Sequence, residues 1–224
     1  KMSILLLSLF LACVLPGIRS EERASDSATL SGNASDIETA IVYEGEEKVL
    51  VELLDAWKPY TWPKPDNISS PLGHCTWDGI KCNNNGHVIH VRLTVKDVEG
   101  TIPAAIADLQ HLQHFYLYSN SIRGSIPPEI GRLSKLTHLS LGENKIRGTI
   151  PATIGDLSNL QYLYLNGNRL RGTIPAELGK LSKLQHLGLW TNSLEGQIPD
   201  IFENMKDLEF IWLNQNFLNG SIPE

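Results

Sequence analysis

Large apolar side chains return at a fixed spacing over residues 88–224. Leu112, Leu136, Leu160, Leu184 and Leu208 form one column. Phe115, Leu139, Leu163, Leu187 and Ile211 form the next, and Leu117, Leu141, Leu165, Leu189 and Leu213 the one after. The last two columns stand two residues apart with polar or aromatic positions between them, the alternation of a short strand with one buried face. Three residues further come Asn120, Asn144, Asn168, Asn192 and Asn216, and then Ile122, Ile146, Leu170, Leu194 and Leu218 turn inward again. Gly100, Gly124, Gly148, Gly172, Gly196 and Gly220 each open a G-x-I-P step, 24 residues apart. An unbroken period of this length predicts a solenoid, because no single coil can bury its own apolar edge and neighbours must stack to make a core. A column of side-chain amides can satisfy backbone donors and acceptors where the chain leaves each strand.

Upstream of the repeats the pattern changes. Residues 3–15 form an apolar run too short to span a bilayer comfortably, broken by Pro16-Gly17 and followed by the small Ser20, which predicts a secretory signal peptide over residues 1–20. Lys1 before Met2 marks the start as other than the natural one. Residues 21–37 are rich in Ser, Ala, Asp and Glu and read as a flexible acidic leader, extended to residue 39 at its boundary. Val49, Leu50, Leu53, Leu54 and Trp57 fall at steps of three and four, predicting a helix from about Glu46 to Trp57. Tyr60 through Pro71 carries three prolines and reads as an irregular loop.

Export decides the cysteine chemistry. Cys13 leaves with the signal, and Cys75 and Cys82 then allow one internal pairing, favoured in an oxidising compartment. Zinc is disfavoured, since no second C-x-x-C or His pair stands at ligand spacing. A redox role is disfavoured too, since the pair lacks the C-x-x-C geometry.

The repeats, with their L-x-G-x-I-P continuation, resemble plant-type leucine-rich repeats. Leu53-Leu54-Asp-Ala-Trp57 followed by Cys75-Thr-Trp77-Asp-Gly79-Ile80-Lys-Cys82 resembles the N-terminal cap of that family. The resemblance implies an α/β solenoid, a right-handed coil with a parallel concave sheet behind a helical, disulfide-bonded cap. Its parts are a cap over 40–87 and repeats over 88–224, five full coils and a partial sixth. Coil one departs from the pattern, with Lys96 at the Asn position and Val95 for a small polar residue. Coil five replaces its convex turn with Phe202-Glu-Asn-Met205. Coil six stops at Glu224 inside its step, so a continuation is expected, with fraying or aggregation at coil six of the chain as given.

Charge excludes one class of partner. The chain carries a formal net charge of -6. Residues 21–60 hold ten acids and three bases, whereas 88–224 hold thirteen acids and twelve bases. A nearly neutral solenoid argues against nucleic-acid binding, which needs clustered positive charge. No H-E-x-x-H, G-x-S-x-G, Walker or G-x-G-x-x-G pattern occurs, so neither an enzyme, a cofactor nor a metal site is expected.

The outward strand positions are the candidate site. One column reads His90, His114, His138, Tyr162, His186, Phe210; the next Arg92, Tyr116, Ser140, Tyr164, Gly188, Trp212; the third Thr94, Tyr118, Gly142, Asn166, Trp190, Asn214. Large aromatics on a curved face suit a protein or peptide ligand, and Trp190 and Trp212 have no evident use in the core. The histidine column predicts tighter binding of an acidic ligand between roughly pH 7 and pH 5.5. Arg123, Arg147 and Arg171 form a further ladder, read as a solvated edge. Asn33, Asn67 and Asn219 each begin an N-x-S glycan acceptor. These features point to an extracellular recognition scaffold; the resemblance adds the ectodomain of a receptor-like protein or kinase. The alternatives are a secreted inhibitor of a cell-wall hydrolase, similar to polygalacturonase inhibitors but lacking their repeat number and C-terminal cysteine pair, and a structural surface glycoprotein. Carbohydrate is the other ligand class, and membrane attachment would come only through a segment beyond Glu224.

Overall fold

The computed structural model describes residues 34–58 and 73–221. The apolar run of 3–15, the proline-rich loop and two of the three glycan acceptors, Asn33 and Asn67, lie outside the described residues. Helix α1 spans Ala34–Ala56. It begins well before Glu46 because Ala34–Gly45 carries helix-compatible Ala, Glu and Asp without the apolar spacing that marks the later turns. Residues 34–39 are therefore helical rather than part of a flexible leader.

The end of α1 is fixed to the first coil by contacts of several kinds. Leu50, Leu53 and Trp57 are fully buried, in one continuous core with Val88, Val91 and Leu93 of coil one. Trp57–Lys58 pairs antiparallel with Glu99–Gly100, and the Trp57 indole N–H donates to the Thr101 carbonyl at 2.8 Å. Gly100 permits this approach: at φ +125° it occupies a left-handed region, and a Cβ there would stand 1.8 Å from the Ala56 carbonyl oxygen. Cys75 and Cys82 are joined by a disulfide, with their Cα atoms 5.5 Å apart.

Seven strands line the concave side: β1 (Ile80–Cys82), β2 (Val88–Arg92), β3 (His114–Tyr116), β4 (His138–Ser140), β5 (Tyr162–Tyr164), β6 (His186–Gly188) and β7 (Phe210–Trp212). They form one sheet in chain order. β1 is antiparallel to β2, and every later pair is parallel and in register, so His90, His114, His138, Tyr162, His186 and Phe210 are direct neighbours. On the far side the five described Ile-Pro steps each lead into a short 3-10 turn: Ala104–Asp108, Pro128–Arg132, Ala152–Asp156, Ala176–Lys180 and Phe202–Asn204.

The asparagine column is the seam between coils. Asn144 donates to the carbonyls of Leu117 in the coil before and Leu141 in its own, at 2.9 and 3.0 Å, and accepts from the Ile122 N–H at 2.9 Å. Asn168 and Asn192 repeat the pattern one coil further on each time. Asn120 likewise serves Leu93 of coil one. At Lys96 half of this role is missing: no repeat precedes coil one, so a side chain there has no earlier coil to bridge. The Lys96 ammonium instead pairs with Asp78 at 2.7 Å.

Candidate ligand-binding face

In the parallel sheet neighbouring strands stand roughly 4.8 Å apart, which brings side chains of one column within ring-stacking range. His90 and His114 stack with centroids 4.1 Å apart, His114 and His138 at 4.3 Å, and His138 and Tyr162 at 4.4 Å. The four rings form one continuous pile, flanked by Tyr116, whose hydroxyl lies 3.1 Å from His114 Nδ1. The Arg92 guanidinium stands 5.6 Å over the Tyr116 ring. Tyr162 ends the pile, its hydroxyl donating to the Gln185 side chain at 2.7 Å.

Stacking changes the histidines chemically. Burial, then the neighbouring His114, Lys81 and Arg92, holds the His90 pKa below its ordinary value. Burial, then Lys81, lowers that of His114. In His138, burial followed by repulsion from His114 and His90 takes it to about 4. His138, with its pKa at about 4, stays neutral between pH 7 and pH 5.5, and His90 and His114 are lowered in the same direction. The stack therefore works against the expected rise in acidic-ligand affinity: burial and neighbouring positive charge both disfavour the added proton.

The other half of the face is built differently. Tyr164, Phe210 and Trp212 surround His186 edge to face, at 6.2, 4.8 and 5.8 Å; Trp190 meets Trp212 edge to face at 5.9 Å, and Phe210 lies parallel to Trp212 at 5.4 Å. The Tyr164 hydroxyl is 2.7 Å from His186 Nδ1. Phe210 is 48% exposed and Trp212 37%. Beneath them Gly188 supplies the space: a Cβ at this position would stand 2.6 Å from Trp190 and 2.7 Å from Tyr164. Trp190, Trp212 and Asn214 line a shallow open depression.

The structure thus gathers the residues singled out from sequence into two sets, and leaves Tyr118, 39% exposed, apart from both. It also places Asn219, the one described glycan acceptor, at an exposed position. Arg123 of the arginine ladder is paired with Glu99 at 3.1 Å on an exposed edge. Sequence reasoning passed over two contributors. Gly188 was merely a gap in its column, though the large residues at Tyr164, Trp190 and Trp212 around it were a usable signal. Glu46 enters the sequence reading only as the start of a helix; its carboxylate accepts from the Val88 N–H at 2.7 Å, and no local pattern announces that.

A stacked parallel sheet, an asparagine seam and an aromatic inner face define a repeat-built binding scaffold. The leucine-rich repeat region model matches residues 71–209, and the chain belongs to the leucine-rich repeat family. Among curated proteins it is 36% identical over 90 residues to MDIS1-interacting receptor like kinase 1 of Arabidopsis thaliana, covering 40% of this chain and 9% of that protein. Among solved structures it resembles the ectodomain of the Arabidopsis receptor kinase HAESA, in complex with an N-terminal extended IDA peptide hormone ligand. That match has a TM-score of 0.68 at 30% identity, over 80% of this chain and 30% of that one. A plant ice-binding protein matches with a TM-score of 0.72 at 30% identity, over 80% of this chain and 58% of that one. The chain therefore spans less than two thirds of each of these relatives.

Proposed function

We propose that this solenoid is an extracellular recognition module that captures an extended peptide or protein segment along its concave face, in the manner of receptor-kinase ectodomains. The observation that carries this reading is the ring cluster of Tyr164, Trp190, Phe210 and Trp212 on the concave side, where Tyr164 and Trp190 stay half-buried although later strands cover their own. Rigid aromatic side chains lose little entropy when covered and commonly dominate interfaces. The parallel sheet gives the length for an extended ligand, and the peptide-bound HAESA ectodomain supplies the precedent on a similar fold. Export is supported by the Cys75–Cys82 disulfide and by the apolar N-terminal run. Among the described residues no helix is long and apolar enough to cross a membrane. We infer binding rather than catalysis: the hydroxyl beside His138, Thr137 Oγ1 at 2.9 Å, is held on the Gln113 carbonyl at 3.0 Å. The test is to screen the secreted chain against a library of secreted plant peptides and read Trp fluorescence on titration. A saturable change that is lost on replacing Trp190 and Trp212 supports the proposal; capture unaffected by both replacements overturns it.

A further inference from the structure

Outside the concave face, α1 meets the first two coils at a cleft of about 450 Å³ whose lining includes Glu46, Glu52, Asp108, His87 and His111, with one cation, Lys48. His87 and His111 are one repeat apart and stack with centroids 3.8 Å apart and planes at 13°. Glu46 reaches them from the helix. One of its oxygens accepts from the Val88 N–H; the other lies 3.4 Å from His87 Nδ1. That nitrogen is buried and has no hydrogen-bond partner, although a carboxylate oxygen is beside it. One ligand atom from each of Glu46, His87 and His111 lies within 4.8 Å of the others.

We propose that Glu46, His87 and His111 form a zinc site that fastens the N-terminal helix to the first two coils. Two donors bound to one tetrahedral zinc at about 2.0–2.1 Å stand roughly 3.4 Å apart, the separation of Glu46 from His87. An ion between them accounts for both the close approach and the missing hydrogen bond. In the stack the rings lie 13° from parallel and aim their in-plane lone pairs side by side, so zinc binding rotates His111 out of the stack, and its nitrogen, within 4.8 Å of the other two ligand atoms, completes the set. Two imidazoles and a carboxylate suit zinc, and leave a fourth position for water. The backbone N–H of Val88 holds the carboxylate in place as an outer-sphere partner. The sequence expectation of no metal site looked for ligands close together along the chain; these are joined by the repeat period and by the docking of a helix.

The experiment is calorimetric titration of the untagged, secreted full chain with zinc chloride at pH 7. One equivalent is expected to bind saturably, and Co²⁺ in its place gives the visible absorption of tetrahedral coordination. His111→Gln is the principal variant, since it leaves the Glu46–Val88 hydrogen bond intact; it weakens zinc at least tenfold while the circular dichroism is unchanged. Glu46→Gln does the same. The triple variant His90→Gln, His114→Gln, His138→Gln on the concave face retains the site. Absence of saturable binding to the parent chain, unchanged affinity in His111→Gln, or loss of the equivalent in the concave triple variant each overturns the proposal.

Discussion

The two halves of the concave face use the same columns, on successive strands, to opposite ends. Across β2 to β5, His90, His114, His138 and Tyr162 lie flat on one another, spending their faces on each other. Towards β7, His186 meets Tyr164, Phe210 and Trp212 edge to face and Trp190 meets Trp212 the same way; face-on contact is confined to Trp212, with Phe210 and more loosely with Tyr164, which leaves ring area open to a partner. Flat rings stacked on successive strands make a closed pile; a missing side chain at Gly188 between large ones makes a surface with relief. The variation within a column, not the column itself, separates scaffold from binding surface.

The sharpest way to break this contrast is to remove the tryptophans. Trp190→Ala and Trp212→Ala are each expected to weaken a captured peptide by ~2 kcal/mol or more, with the melting temperature little changed, as read by titration and calorimetry. Filling the relief comes next. Gly188→Val places methyl groups against Trp190 and Tyr164 and is expected to displace both rings, weakening binding about tenfold and costing roughly 1–3 kcal/mol of stability by overpacking; denaturant unfolding beside the binding titration separates the two effects.

The third prediction concerns the closed pile. His138 has a folded pKa of about 4 against an unfolded value of 6.5, so the unfolded chain binds the extra proton in that interval. The contribution is fully present above pH 6.5 and is lost as pH falls towards 4. Urea unfolding at pH 7 and pH 4.5 is expected to show a smaller acid loss in His138→Gln than in the parent chain; equal losses would contradict the stacking account. The smallest effect belongs to the convex side, where Lys135→Ala and Lys180→Ala remove exposed cations. Lys180 is paired with Asp156 at 3.3 Å on the surface, and such pairs contribute less than about 1 kcal/mol, so binding is expected to stay within error of the parent.

Much of the scaffold was legible because the repeat writes each physical requirement several times. Leu163 and Leu187 are buried where the alternation puts them, and the asparagines bond where a turning backbone needs an amide. What could not be read depends on partners remote in sequence or on rotamers. Whether His114 stacks on His138 or splays from it is a choice of side-chain torsion that no spacing encodes. Glu46 finds Val88 only after α1 docks, and His87 meets His111 only once the coil has closed. The low His138 pKa follows from those contacts and was invisible for the same reason; the same residue in an extended strand alone would titrate normally.

The asparagine seam also gives the array a direction. Each amide serves its own coil and the one before it: Asn192 accepts from Leu170 and donates to Leu165, and Asn216 accepts from Leu194 and donates to Leu189. Every coil is finished by its successor, as a tile is held by the one laid over it. Such a chain can gain or lose whole 24-residue units and keep every seam intact, whereas an insertion of one or two residues between a strand and its asparagine would misalign two coils at once. Variation in length by duplication is therefore mechanically easy for this architecture, and gradual drift in the period is not.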